Sequence, residues 1–93
     1  MQPSHREGVY DLTDAEVEVL RLLASGLGYH DIAQIRGCKM RTVQTHAHAI
    51  YDKLRVGSQT AAARVAWEQG IISIDDAWQI LQIHRMGGRW RAA

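Results

Sequence analysis

The 93-residue sequence contains one cysteine, one proline and no phenylalanine, and its formal net charge is only +1. A single cysteine cannot form an internal disulfide, which excludes a small secreted scaffold held by disulfides. No stretch approaches the ~18 consecutive apolar residues of a membrane helix, and the polar N-terminus lacks the apolar run of a secretory signal. We therefore expect a cytoplasmic protein with no membrane association. The 46% hydrophobic fraction suffices for one small core.

The sequence also lacks the patterns that carry enzyme chemistry. No nucleophile stands beside a base in a recognisable arrangement, and no glycine-rich phosphate loop follows a strand. Five histidines are present, but His46 and His48 point to different sides of a helix, and only Asp52 follows His48 at helical spacing. Two ligands do not form a zinc site. We predict no enzyme activity, no cofactor and no metal, and interpret Cys38 as a half-buried structural residue.

Alternation of apolar and polar residues with period two is missing, so the sequence predicts an all-α chain. Thr13 is a suitable N-cap and Glu16 follows it at the capping-box spacing, so the first helix begins after Thr13 and ends before Gly26. The further predicted helices span about residues 30–36, 40–55, 59–69 and 74–86. We divide the chain into a flexible arm (1–11), a four-helix domain (12–72), and an additional C-terminal helix with a basic tail (73–93).

The predicted third helix has the clearest amphipathic pattern. Its apolar stripe, spaced by 4, 3 and 4 residues, consists of Val43, Ala47, Ile50 and Leu54. Its polar side carries Arg41, Gln44, Thr45, His48, Asp52 and Arg55. Two short helices, a glycine-containing turn and a longer helix are the outline of a helix-turn-helix, whose second helix reads base edges in the DNA major groove.

Charge is distributed unevenly along the chain. Residues 11–31 carry five acidic residues and one basic residue, and residues 36–55 carry five basic residues and one acidic residue. This separation either suits one end of the protein to a polyanion or reflects a chance clustering of solvated charges.

The order of residues over 12–72 resembles the LuxR/FixJ-type (GerE-like) DNA-binding domain. The motifs that carry the resemblance are Leu12-Thr13-x-x-Glu16, Ile32-Ala33, Thr42-Val43-x-Thr45-His46, Ile50-x-x-Lys53-Leu54-x-Val56, Ala62 and Gly70-Ile71. The resemblance implies four helices, of which the third binds double-stranded DNA and the fourth commonly forms a homodimer contact.

The same resemblance implies roles for individual residues. Thr42 and Lys53 correspond to phosphate contacts, and the base-facing positions are Gln44, Thr45 and His48. The residues of a fourth-helix dimer surface are Ala62, Val65 and Trp67.

Four positions depart from the family pattern. Arg36 stands where the family usually has Leu, Cys38 stands at an apolar position, and Lys39 replaces the usual Ser or Thr cap. Gln59 is often Arg. The turn therefore has a weaker cap, one less core residue and more positive charge. Either it touches the DNA backbone through Lys39 and Arg41, or the domain has drifted toward another partner.

The predicted fifth helix lies beyond the resemblance. We expect its inward face to consist of Ile74, Ala77, Trp78, Ile80 and Leu81. Ile83 and Met86 lie off that face and suggest a second apolar contact, so Trp78 and Ile83 join the candidate dimer residues. The helix packs either on its own domain or on a partner chain, and the basic end Arg89-Trp90-Arg91 either reaches DNA or packs on the partner.

These observations predict a stand-alone, sequence-specific DNA-binding transcription regulator that acts as a homodimer. The alternative is a protein-interaction module, such as an anti-activator or co-regulator, that pairs with another transcription regulator.

Overall fold

The computed structural model describes residues 10–87, and every regular element among them is a helix. The elements are α1 (Asp14–Ala24), α2 (Tyr29–Arg36), α3 (Met40–Leu54), α4 (Gln59–Glu68) and α5 (Ile74–Arg85). The predicted all-α fold with five helices is confirmed, and α2 to α5 begin and end within one residue of the expected positions. The predicted flexible arm, apart from Tyr10 and Asp11, and the basic residues of the tail lie outside the described residues.

Local capping explains where several helices begin. The Thr13 hydroxyl accepts a hydrogen bond from the Glu16 amide (3.1 Å), and the Glu16 carboxylate accepts one from the Thr13 amide (3.0 Å). This is the predicted capping box, and Ser73 and Asp76 repeat it at α5. Ser58 caps α4 through its hydroxyl. The helices α2 and α3 begin without a side-chain cap.

The core lies where α1 packs against α3 and α4, while α2 packs against α3. All four residues of the predicted apolar stripe of α3 are buried. The other large side chains that are fully buried are Leu12, Val17, Val19, Leu20, Leu22, Leu23, Ile32, Ile72 and Ile80. This arrangement fixes α3 by its inner side and leaves its opposite side to solvent.

The predicted inward face of α5 is wrong for three residues. Ile80 is buried against α1 and α2, but Ile74 is 77% exposed, Trp78 61% and Leu81 38%. Ile83, which we expected off the inward face, packs against the core together with Ala77.

A long-range contact ties the start of α5 to α1. The Arg21 side chain of α1 donates a hydrogen bond from Nε to the Ile71 carbonyl (2.8 Å) and lies 3.7 Å from the Asp76 carboxylate. In the orientation that has this contact, Ile80 and Ile83 lie against the core. The helical period alone permitted either apolar stripe to face inward.

Among residues 10–87, no helix combines the length and the apolar character that are needed to cross a membrane.

Candidate nucleic-acid interface

The helices α2 and α3 and the turn between them form the predicted helix-turn-helix. Gly37 ends α2 with φ +70°, a left-handed conformation that a residue with a side chain adopts at a cost. The chain then turns through Cys38 and Lys39 into α3. Because α3 buries only one stripe, the whole opposite side of the helix is available to a ligand.

The outer side of α3 presents the predicted base-facing residues to solvent. Arg41, Thr45 and His48 follow each other at spacings of four and three, so they form one line on the side opposite the core. Gln44 and Thr42 are also exposed and lie on either flank of that line. These residues offer a guanidinium, an amide, two hydroxyls and an imidazole within about two helical turns.

Hydrogen bonds within α3 restrict what one of these groups offers. The Thr45 hydroxyl donates to the Arg41 carbonyl (3.0 Å), so its remaining capacity is to accept hydrogen bonds. Such a hydroxyl suits a base amino group, such as N6 of adenine or N4 of cytosine, rather than a base carbonyl. The Gln44 amide can both donate and accept.

The start of α3 is a positively charged helix N-terminus. Lys39 occupies the N-cap position, makes no capping hydrogen bond and is exposed, and the first turn contains no acidic residue. The amides at the start of a helix and the helix dipole both favour an anion, and Lys39 and Arg41 add two cations there. This end of the helix is therefore suited to a phosphate group.

The predicted phosphate contact Lys53 has partners within the domain. Its ammonium lies 2.7 Å from the Glu16 carboxylate and 2.9 Å from the Asp11 carbonyl. Burial alone would raise the pKa of Glu16. The hydrogen bonds from Lys53 and from the Thr13 amide, together with the Lys53 charge, outweigh burial and hold that pKa below its ordinary value of 4.5. Lys53 thus ties the C-terminal part of α3 to the capping box of α1.

Two of the unusual residues also have structural roles. Arg36, which adds positive charge before the turn, forms an ion pair with Glu18 of α1. The side-chain amide of Gln59 donates to the carbonyls of Leu23 and Leu27, which closes the end of α1. The charge separation along the sequence is therefore partly cancelled in the fold, because basic residues of α2 and α3 pair with acidic residues of α1.

The predicted dimer residues do not form one surface. Ala62 is fully buried in the monomer, so its assignment to a dimer surface is wrong. Val65 and Ile83 are partly buried against the core of their own chain. Trp67 is 40% exposed, but its indole N–H donates to the Ala24 carbonyl (3.2 Å). Only Trp78 presents most of its side chain to solvent.

A pair of tyrosines connects the two helices of the motif, and the sequence analysis missed it. The hydroxyls of Tyr29 and Tyr51 lie 3.3 Å apart. Burial, the hydrogen bond to Tyr29 and the charge of Tyr29 all raise the pKa of the Tyr51 hydroxyl. No local signal relates residues 22 positions apart, so only the folded arrangement of α2 on α3 reveals this contact.

A cleft of about 650 Å³ lies between α2, the turn and the end of α5. His30, Cys38 and His84 are among its lining residues. Within residues 10–87, however, no group of three or more His, Cys, Asp or Glu side chains is arranged to hold a metal ion. Cys38 is partly buried and packs against the core.

Comparison with known proteins agrees with this geometry. Residues 11–66 match the GerE family, described as bacterial regulatory proteins of the luxR family. The chain is 42% identical over 65 residues to the transcriptional regulatory protein YdfI of Bacillus subtilis, an alignment that covers 70% of this chain and 30% of YdfI. It is 36% identical over 61 residues to the response regulator protein VraR of Staphylococcus aureus and of Staphylococcus epidermidis, with 66% of this chain and 29% of each relative covered.

The chain thus spans about 30% of the length of these curated relatives. No solved structure matches it significantly. The match covers the helices α1, α2 and α3 and most of α4 and leaves α5 outside. The chain belongs to the LuxR family of bacterial regulatory proteins.

Proposed function

We propose that this protein is a sequence-specific DNA-binding transcription regulator that reads the major groove with the outer side of α3 and acts as a homodimer. The observation that carries the proposal is the continuous exposed polar side of α3, backed by a fully buried apolar stripe, in a chain of the LuxR family. The expectation of a stand-alone regulator stays a prediction.

The side chains divide into two groups by position. At the start of α3, Lys39 and Thr42 are the proposed phosphate contacts, and Arg41 suits either a phosphate or a guanine. Further along, the base-facing residues are Gln44, Thr45 and His48. Phosphate contacts orient the protein on the duplex, whereas contacts to base edges select the sequence.

Two substitutions test the base-facing assignment. Gln44→Ala and Thr45→Ala remove exposed groups, so neither should lower the free energy of unfolding by more than about 0.5 kcal/mol. Each lost base contact should weaken binding to the preferred site by about 1–3 kcal/mol and relax the preference at one base pair. Fluorescence anisotropy with labelled duplexes measures both effects.

Gln79→Ala is the matched control, because Gln79 is an exposed glutamine on α5 and not on α3. The affinity of this variant for DNA and its sequence preference should equal those of the unmodified protein. Unchanged affinity and preference in both α3 variants would refute the base-facing assignment. A stable complex with another transcription regulator, without measurable affinity for DNA, would instead support the interaction module.

A further inference from the structure

The helix α5 carries an apolar stripe that the fold leaves uncovered. Ile74, Trp78 and Leu81 follow each other at spacings of four and three residues, and Arg85 continues the line four residues later. At ~100° per residue, this stripe lies roughly 130° around the helix from the buried Ile80. One face of α5 therefore holds the helix on its own domain, while a second, separate face points to solvent.

Three of the six large hydrophobic residues that are exposed among residues 10–87 lie on this stripe. Outside it, the exposed large hydrophobic residues between 10 and 87 are Met40 on α3, Trp67 on α4 and Met86 after the end of α5. A contiguous apolar patch on a small soluble protein marks an interaction surface more often than single exposed residues do. The spacing of four, three and four is also the spacing with which one helix packs along another.

The charges at the two ends of α5 indicate which partner the stripe fits. Asp75 lies beside the stripe at its N-terminal end, and Arg85 closes it at the C-terminal end. Neither residue forms an ion pair among residues 10–87. A surface with acid at one end and base at the other is self-complementary when two copies pack in opposite directions.

We propose that this stripe is the homodimer surface, with α5 packed antiparallel against α5 of a second copy. The two-fold axis passes between residues 79 and 80. Trp78 then lies against Leu81 of the second copy, and Ile74 lies against the aliphatic part of Arg85, whose guanidinium reaches Asp75. This inference takes from the proposed function only that the protein forms a homodimer. The dimer itself should form without DNA.

The outer surface of α4 is less suited to this role. Its exposed residues include Thr60, Arg64 and Glu68, and the last two form an ion pair at 3.8 Å. The indole of Trp67 is held by the end of α1. Apart from Trp67, the exposed surface of α4 is thus polar, whereas α5 exposes three apolar residues in one line.

Sedimentation velocity of the full chain without DNA tests the proposal. A 12-residue helix is about 18 Å long, so the interface is small and the dissociation constant should be in the micromolar range. Measurements from about 1 to 200 µM should show a monomer–dimer equilibrium. Trp78→Glu should weaken the dimer by about tenfold or more. Met86→Glu, an equally charged change at an exposed residue off the stripe, should not.

Charge reversal tests the antiparallel register and keeps the proposal falsifiable if Trp78→Glu disturbs the helix. Asp75→Arg and Arg85→Asp should each weaken the dimer several-fold, because each places like charges together across the axis. The double variant should restore the dissociation constant to within about threefold, because the attraction returns with its direction exchanged. Circular dichroism checks that each variant keeps its helix content.

A protein that stays monomeric at the highest concentration would overturn the proposal. So would a double variant that remains as weak as the single variants, or a dimer lost in Trp67→Glu but kept in Trp78→Glu. Failure of DNA binding with an intact α5 dimer would refute the proposed function alone. Specific DNA binding by a strictly monomeric protein would refute this inference and the homodimer of the proposed function, and it would leave the recognition by α3 in place.

Discussion

Replacing Lys39 by serine should raise the stability of the fold and lower its affinity for DNA. Lys39 occupies the N-cap position of α3 without capping it, and its φ −86° and ψ 154° are close to the values of Thr13 (−76° and 166°), whose hydroxyl does cap α1. The Thr42 amide now donates to the Lys39 carbonyl in a tight turn (3.0 Å). Lys39→Ser therefore places a hydroxyl where it can take over that amide, as the Thr13 hydroxyl takes the Glu16 amide in α1. A new cap contributes about 1 kcal/mol, and removing a cation from the positive helix end adds ~0.3–1 kcal/mol.

The same substitution removes one cation from the expected DNA contact. If Lys39 contacts a phosphate, the slope of log affinity against log salt should fall by about 0.9, for specific and random DNA alike. Urea denaturation followed by circular dichroism gives the stability, and fluorescence anisotropy over a series of salt concentrations gives the slope. Lys39→Gln is the control that separates the two effects, because it removes the charge without adding a favourable cap.

Two outcomes of this experiment would refute the reasoning. A stability gain with an unchanged salt slope would show that Lys39 does not touch the DNA backbone. A loss of stability in Lys39→Ser would show that the start of α3 is not an uncapped helix end of the described geometry.

Three further predictions concern the ion pair at Glu16, the packing of α5 and the role of Lys53. Because the folded state lowers the pKa of Glu16, its carboxylate stabilises the fold above pH 4.5 and this contribution is lost as the pH falls through the lowered value. Urea midpoints measured from about pH 6 to 3 should fall less steeply in Glu16→Gln, and equal curves would contradict the assignment. In urea denaturation, Ile80→Ala should lower the free energy of unfolding by about 2–5 kcal/mol, whereas Ile74→Ala should lower it by less than about 0.5 kcal/mol. Similar losses in the two variants would mean that α5 packs with a different face against the core. Lys53→Ala should weaken binding to all DNA sequences alike and reduce the slope of log affinity against log salt by about one unit. An altered site preference without a change in that slope would mean that α3 lies in the groove in an orientation other than the proposed one.

Features governed by local rules were predictable from the sequence. Capping residues and apolar spacing act within four residues, so Thr13, Ser58 and Ser73 placed the starts of three helices correctly. The buried stripe of α3 followed from its period. Each of these features depends on side chains that are close in the chain, and tertiary packing did not override them.

Features that depend on contacts between distant residues were not predictable in the same way. The start of α5 is tied to α1 by Arg21, which donates to the Ile71 carbonyl 50 positions away. Lys53 and Glu16 are 37 positions apart, and no spacing rule pairs them. The resemblance identified Lys53 as a phosphate contact because it transfers roles by position, and it carries no information about the ionic partner that this fold provides.

Whether α3 reads a specific DNA sequence can be measured by selecting duplexes from a random pool with the purified full chain and sequencing the bound fraction. We expect an enriched, two-fold symmetric site whose half-sites are separated by about one helical turn of DNA (~10 base pairs) or a multiple of it. The same selection with Gln44→Ala should lose the preference at one symmetric pair of positions. A bound fraction with no sequence enrichment over the starting pool would contradict the account.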